Sequence, residues 1–373
     1  MINIVIMAGG SGKRFWPKSR KNLPKQCLPI ASKEPMIKET VERLKPIAQK
    51  KDIYIATGKH LEKHIKNILS DVNYIIEPMP KNTAACIGLA AIYLDKEDIM
   101  LIETSDHVYK DVNAYLKHLK AGIETAKKNK IVLVGITPDF PHTGYGYIHQ
   151  GELIRKKDSI EIYEVAEFNE KPDPETAEIF FKSGVFLWNS GIFISNVKTM
   201  LDAIKKHMPE LYSALMKIKN SNFDKNIMSK EFEKLENTSI DYGVIEKAKN
   251  LAVVRGDFHW DDVGDWKSME RIYPKDKNNN VVLADYNGNA KNCIIIGDKK
   301  PIQAENIEDL IIIDTVDCLL VCSKNRSQDV KKIVQMLEKD SELKKYTTEI
   351  QSRPEFHKVS LDCKNIEVKS SCL

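Results

Sequence analysis

Several things are missing from this 373-residue chain, and each absence closes off a class of function. No run of about 18 apolar residues occurs, so no membrane-crossing helix is expected. The chain enters an apolar strand within its first residues, without a basic segment followed by an apolar one, so no secretory leader is expected. An excess of one charge is missing too. With 57 basic and 53 acidic residues the net charge is +4, a mixed surface that points to neither nucleic acid nor membrane as a partner. Cysteine is sparse and odd in number: Cys27, Cys86, Cys293, Cys318, Cys322, Cys363 and Cys372. Cys318 and Cys322 share one face of a strand, but no second pair or histidine cluster completes a zinc site. Free, mostly buried thiols in a reducing cytoplasm are the expectation.

What is present fits an enzyme-sized globular chain, 42% hydrophobic and 29% charged, long enough for one large domain and a smaller one. Its most distinctive stretch runs from Met7 to Pro29. It follows the apolar run Ile2-Asn3-Ile4-Val5-Ile6, which reads as a buried first strand. Gly9, Gly10 and Gly12 allow a sharp turn whose successive N–H groups form an anion-binding concavity. Lys13, Arg14 and Lys25 add three cations. Two common phosphate motifs are nevertheless absent. Gly12-Lys13 is followed by Arg14 and preceded at the wrong distance by Met7, so no P-loop is formed. Phe15 stands where a dinucleotide fingerprint needs its third glycine. Pro17, Pro24 and Pro29 predict a long ordered loop rather than a helix entered at once.

Gly9-Gly10-Ser11-Gly12-Lys13-Arg14-Phe15-Trp16-Pro17 and Pro24-Lys25-Gln26-Cys27-Leu28-Pro29 together resemble the signature of the sugar-1-phosphate nucleotidyltransferases. That family usually has Thr at Lys13 and Phe at Cys27. Farther on, Glu77-Pro78-Met79-Pro80-Lys81-Asn82-Thr83-Ala84 is similar to a pattern of the guanylyltransferase branch.

Strand and helix patterns alternate along the first part. Strands are predicted at Ile53–Ala56, Tyr74–Ile76, Ile99–Ile102 and Ile131–Ile136, with helices at Met36–Leu44, His60–Leu69, Thr83–Leu94 and Asn113–Lys127. This implies a Rossmann-like, doubly wound α/β fold, a mixed sheet with ligands at the carboxyl ends of strands. Further strands are expected over Gly144–Ile148, Ile160–Phe168 and Phe186–Phe193, and helices with a charged outer face over 197–249. From about Asn278 short apolar runs (281–284, 293–297, 310–313, 318–322) indicate a small β domain, with one helix at Val330–Leu337. In the resembling family that domain is a left-handed β-helix, which docks or mediates subunit contacts. The expected division is 1–275 catalytic, 276–345 β domain and 346–373 polar tail. Longer family members carry a phosphomannose isomerase domain after this point, for which no room is expected here.

The resemblance also implies a site. Ala8, Gly9, Gly10, Ser11, Gly12 and Lys13 would cradle a nucleoside triphosphate, with Arg14 and Lys25 as the catalytic cations. Glu77 would read guanine, because a carboxylate accepts from N1–H and N2–H together. Asn82 and Thr83 read equally as base contacts or helix caps. Asp106 and Asp262 would hold Mg²⁺, although Thr104 replaces a usual proline and Asp265 a usual small hydroxyl. Gly146, Glu170, Lys171 and Asn189 would form the sugar-phosphate side. His107 reads as a hydrogen-bonded loop histidine. The implied substrates are GTP and mannose 1-phosphate, the products GDP-mannose and pyrophosphate, and the assembly a homodimer. A heptose or glucose phosphate as acceptor, or a non-catalytic sugar-nucleotide-binding subunit, remains open at this point.

Overall fold

The computed structural model describes residues 1–352, 359–361 and 366–368. Contacts divide the chain into two units: Met1–Gly9 with Ile37–Trp260, and Gly10–Met36 with the chain from Asp261 onward.

The first unit is built on a nine-stranded sheet in the order Asn73–Glu77, Ile53–Gly58, Ile2–Met7, Ile99–Thr104, Phe186–Asn196, Ile131–Ile136, Leu251–Gly256, Ile160–Glu170, Gly146–Lys157. The first four strands are parallel, with Ile4 opposite both Ile53 and Leu101. Phe186–Asn196 runs antiparallel to the strands on either side of it, so the sheet is mixed, as expected. Ile4, Val5 and Ile6 are consecutive and wholly buried, which requires both sheet faces to be covered.

The helix Asn82–Tyr93 buries every residue from Ala84 to Ile92, so its small side chains serve close packing rather than an exposed face. A Cβ added at Gly88 would come within 2.7 Å of Leu215 Cδ1, which shows how closely the helix Pro209–Asn220 rests on it.

One expectation needs correction. Residues 197–249 do more than present charge. Val197, Met200, Leu201 and Ile204 follow the i, i+3, i+4, i+7 spacing and join Leu215, Ile218 and Phe232 in the principal core cluster. The lysines and glutamates between them mask that period in the sequence.

In the second unit Val281–Leu283, Ile294–Gly297 and Leu310–Asp314 stack as parallel rungs, Val281 opposite Ile294 and Ile294 opposite Ile311. Leu319–Ser323 closes this sheet antiparallel. A second pair, Tyr286–Lys291 with Ile302–Glu308, is also parallel. Neither strand of that pair has an apolar run, so periodicity did not announce them. The helix at Val330–Leu337 lies where its spacing placed it. Beyond it, Tyr346 O accepts from Trp16 Nε1 at 2.9 Å, Thr347 O from Lys21 N at 2.8 Å and Thr348 O from Asn22 N at 3.1 Å. Cys27, Cys86, Cys293, Cys318 and Cys322 are free, while Cys363 and Cys372 lie outside the described residues. Among the described residues no helix is long and apolar enough to cross a membrane.

Arg20 and Asp317 form a 2.8 Å ion pair with both side chains wholly buried, and Asp317 also accepts from Gln351 N at 2.9 Å. Removing one partner of such a pair leaves an uncompensated buried charge. Asp317→Ala is therefore expected to lower unfolding free energy by about 3–5 kcal/mol in urea denaturation. Asp317→Asn, which keeps acceptors for Arg20, should cost less.

Candidate active site

The strand Ile2–Met7 delivers the chain to the glycine loop. Ala8 is tied on both sides to the neighbouring strand, its N–H to Ala56 O at 2.8 Å and its carbonyl to the Thr57 hydroxyl at 2.9 Å. Gly12 stands at φ 59°, and a Cβ there would lie 2.5 Å from Lys25 Cβ and 2.8 Å from Lys25 N. Conformation and space both demand glycine at that position. The prolines do exclude a long helix: only short 3₁₀ turns form, at Lys13–Phe15 and Lys25–Cys27. Gln26 Nε2 donates to Gly10 O at 3.1 Å and Ser19 Oγ to Gly12 O at 2.7 Å, which stiffens the loop from inside.

The three cations that the sequence groups together have three different situations. Lys13 is bound to Glu338 at 2.6 and 2.7 Å. Lys25 is 5% exposed, donates to Val263 O at 2.7 Å and Asp262 O at 3.1 Å, and sits 5.4 Å from the Phe15 ring centre. Arg14 is exposed and makes no hydrogen bond or ion pair among the described residues. It is the cation most available to an incoming anion. Val263 itself is held at φ 48°, a strained conformation for a β-branched residue. Beside it, a Cβ at Gly264 would press to 3.1 Å from Asp262 Oδ2, so glycine leaves that carboxylate room.

Glu77 ends the strand Asn73–Glu77 and is 7% exposed. A Cβ at Gly9 would lie 3.7 Å from Glu77 Oε2, which places the carboxylate against the start of the glycine loop. Burial pushes its pKa up to about 7, against a smaller downward pull from a hydrogen bond with Cys86. Asn82, at φ 68°, opens the following helix and accepts Thr83 N on its own side chain at 2.9 Å. The Thr83 hydroxyl instead accepts from Ile240 N at 2.9 Å. Neither residue is the cap proper, which is Lys81 without a side-chain bond.

Asp106 follows the strand Ile99–Thr104 in a loop supported from beneath. Glu103, wholly buried, accepts from both the Tyr109 and Tyr115 hydroxyls and from Thr104 N at 3.0 Å. The Arg43 guanidinium lies over the Tyr109 ring at 4.6 Å and donates to Thr40 Oγ1 at 3.0 Å and His107 O at 3.5 Å. Burial raises the Glu103 pKa while Arg43 opposes the rise. A proline at 104 could not supply that backbone N–H, so the departure from the usual pattern has a structural counterpart here. His107 is hydrogen-bonded, accepting Trp260 Nε1 at 3.1 Å.

Gly146, Glu170, Lys171 and Asn189 do meet in the first unit. A Cβ at Gly146 would overlap the Glu170 carboxylate and lie 3.3 Å from Asn189 Cβ. The strand there starts at Gly146, not Gly144, because Gly144 and Tyr145 lie in a turn. Lys171, at φ 52°, pairs with Glu170. Asn189 Nδ2 donates to Asp241 Oδ1 at 3.0 Å. Asp241 belongs to the stretch Ser239–Glu246, but no role for it was legible from sequence. Burial, followed by the nearby Glu170 charge, lifts its pKa to about 6. Tyr145 packs edge-on against Trp188 at 5.1 Å and Trp260 at 5.2 Å, an aromatic wall beside the cluster that sequence reasoning also missed.

Asp106 lies in the first unit and Asp262 in the second. Among the described residues no group of three or more His, Cys, Asp or Glu gathers as a metal site. Asp106 and Asp262 each offer a carboxylate, the donor type that a hard cation such as Mg²⁺ prefers.

Comparison with known proteins bears on this site. The Nucleotidyl transferase family model matches residues 3–279, and the MannoseP isomerase/GMP-like beta-helix domain matches residues 279–337. Mannose-1-phosphate guanylyltransferase RfbM of Salmonella typhimurium is 37% identical over 90% of this chain and 72% of that protein. A mannose-1-phosphate guanylyltransferase of Klebsiella pneumoniae is 36% identical over 93% of this chain and 76% of its own length. Among solved structures, a mannose-1-phosphate geranyltransferase from Thermus thermophilus superimposes with a TM-score of 0.83 at 30% identity, covering 90% of this chain and 99% of that one.

The Glu77 environment has a thermodynamic signature. Its folded pKa of about 7 lies above the ordinary 4.5, so its contribution to stability is complete below 4.5 and is lost as pH rises through 7. Glu77→Gln is expected to gain on the parent by about 2–3 kcal/mol between pH 5 and pH 8 in ligand-free urea unfolding. A constant difference across that range would refute the assignment.

Proposed function

We propose, for a chain that belongs to the nucleotidyl transferase family and to its mannose-1-phosphate guanylyltransferase branch, that it transfers GMP from GTP to mannose 1-phosphate. The observation that carries the acceptor side is the meeting of Gly146, Glu170, Lys171 and Asn189, three motifs spread along the chain, at one point.

A phosphate oxygen of mannose 1-phosphate attacks the α-phosphorus of GTP in line. The new P–O bond forms as the bond to the β-phosphate oxygen breaks, and pyrophosphate leaves with that electron pair. The nucleophile has a second pKa of about 6, so it is already an anion at neutral pH and needs no general base. What remains is bringing two polyanions together and neutralising charge. Residues 8–13 cradle the triphosphate, Arg14 meets the departing pyrophosphate and Lys25 faces the α-phosphate. Asp106 and Asp262 are the proposed Mg²⁺ ligands; the bound ion would neutralise charge on the α- and β-phosphates. Lys171 takes the sugar phosphate, exchanging its ion pair with Glu170 for one with the ligand.

Glu77 selects guanine, with Asn82 and Thr83 on the same side. Guanine donates from N1–H and N2–H, which favours the ionised carboxylate, so affinity for GTP falls as pH drops below about 7. Residues 1–275 form the transferring domain, 276–345 the β-helix and 346–373 a polar tail. The exposed side chains of Leu319 and Val321 on the strand Leu319–Ser323 support a homodimer formed through the β domain. The free thiols support a cytoplasmic location.

Metal-dependent pyrophosphate release from GTP and mannose 1-phosphate is the deciding assay; no turnover alongside tight GDP-mannose binding would sink the enzyme reading. Heptose and glucose 1-phosphates, crossed with the other nucleoside triphosphates, define its breadth. Arg14→Ala, at an exposed position, should leave folding intact while kcat falls about a hundred- to a thousandfold. Glu77→Gln should impair GTP use more than ITP use, measured as the ratio of kcat/KM values.

A further inference from the structure

Among the titratable groups without a role in this chemistry, the half-buried Asp241 touches the proposed acceptor side through Asn189. Its backbone has anchors besides its side chain, although the carboxylate also takes bonds from its own N–H and from Ser239. Ile240 N donates to Thr83 Oγ1 at 2.9 Å, and Ser239 Oγ caps the short helix Ile240–Gly243 through Tyr242 N at 3.3 Å. From that footing the carboxylate accepts Asn189 Nδ2 at 3.0 Å, while Asn189 Oδ1 accepts Gly191 N at 3.1 Å.

A side-chain amide offers two N–H donors and two lone pairs, and its two ends are nearly the same shape. Here one donor and one lone pair are assigned by the protein, at opposite ends. The Asn189 amide cannot turn over without losing both bonds, so its second N–H has one direction left. Asp241 is an unusual choice for a merely structural acceptor. It is half-buried beside Glu170, whose charge makes ionising Asp241 harder, and Lys171 pairs with Glu170 rather than with Asp241. Groups held against such a cost concentrate where a ligand is recognised.

We infer that Asp241 is a positioning residue for the transfer reaction: it locks the Asn189 amide so that the remaining N–H is offered to a ring hydroxyl of the sugar phosphate, and thereby sets sugar selectivity. The inference rests on the proposed placement of the sugar phosphate at Gly146, Glu170, Lys171 and Asn189.

The test is steady-state kinetics with GTP and mannose 1-phosphate or each of its monodeoxy analogues. In the parent enzyme one analogue should be penalised for the hydroxyl it lacks. Asp241→Ala should raise the sugar-phosphate KM roughly tenfold to a hundredfold with the GTP KM little changed, and should erase the penalty against that one analogue. Asp241→Asn, whose amide oxygen still accepts from Asn189, should restore most of both. Should the Ala variant fold poorly, Asp241→Ser, too short to reach the amide, is expected to behave in the same way. An unchanged KM and penalty, or KM values for both substrates rising together, would overturn the positioning role. An Asn189→Ala enzyme with a normal sugar-phosphate KM would instead overturn the placement of the sugar, and an inactive parent would overturn the function itself.

Discussion

In the second unit, the glycine loop and the 262–264 turn depend on one buried ammonium. Lys25 is almost wholly removed from water and donates to the carbonyls of Asp262 and Val263. A buried charge without partners is costly, and two carbonyls with the face of Phe15 compensate this one. The carbonyls in turn come from a backbone that would not rest there by itself, since Val263 at φ 48° carries roughly 1–3 kcal/mol of strain. Cation and strained turn stabilise each other. Around them Trp266 Nε1 donates to Trp16 O at 2.9 Å, and the Phe15 and Trp266 rings pack at 4.9 Å. The glycine loop and the 262–264 turn are therefore set by the same contact. Lys25 is already coordinated, and in the proposed reaction an α-phosphate would have to share it with two carbonyls. Arg14 has no such prior commitment.

The first unit solves a different electrostatic problem. Glu77 and Asp241 are both carboxyls that burial makes reluctant to ionise, one at the proposed base side and one at the proposed sugar side. Among the described residues, neither is neutralised in place by a lysine or arginine ion pair. Donors without full charge suit them: the Asn189 amide already serves Asp241, and purine N–H groups are the proposed partners of Glu77. Selectivity built this way rejects a ligand lacking the donor, because the carboxylate is then left buried and unpaired.

Much of the fold was legible because it is locally encoded. The strands of the parallel half, the helix Met36–Leu44 and the helix Val330–Leu337 follow from apolar spacing alone. Gly146, Glu170, Lys171 and Asn189, which the resemblance groups together, do lie together in the first unit. What escaped has long-range causes. Lys13 is bound to Glu338, 325 positions away, a partner that no local motif announces. Asp241 lies 52 positions from the Asn189 that gives it meaning. The strands Tyr286–Lys291 and Ile302–Glu308 are held by backbone pairing between exposed polar residues, which leaves no hydrophobic period to read. Helices after Val197 hid their core face because lysines and glutamates are interspersed with the apolar residues in the string without occupying the same side.

The bonds from Trp16, Lys21 and Asn22 to the carbonyls of Tyr346, Thr347 and Thr348 have a consequence for biogenesis. Synthesis proceeds from the N-terminus, so the sheet of the first unit can assemble while the ribosome is still working. The segment after the glycine loop cannot. Its backbone partners emerge far later, 330 positions on in the case of Trp16 and Tyr346. A nascent or prematurely terminated chain would thus have its sheet before this segment can gain its partners, which come only with the short helix Lys345–Thr348.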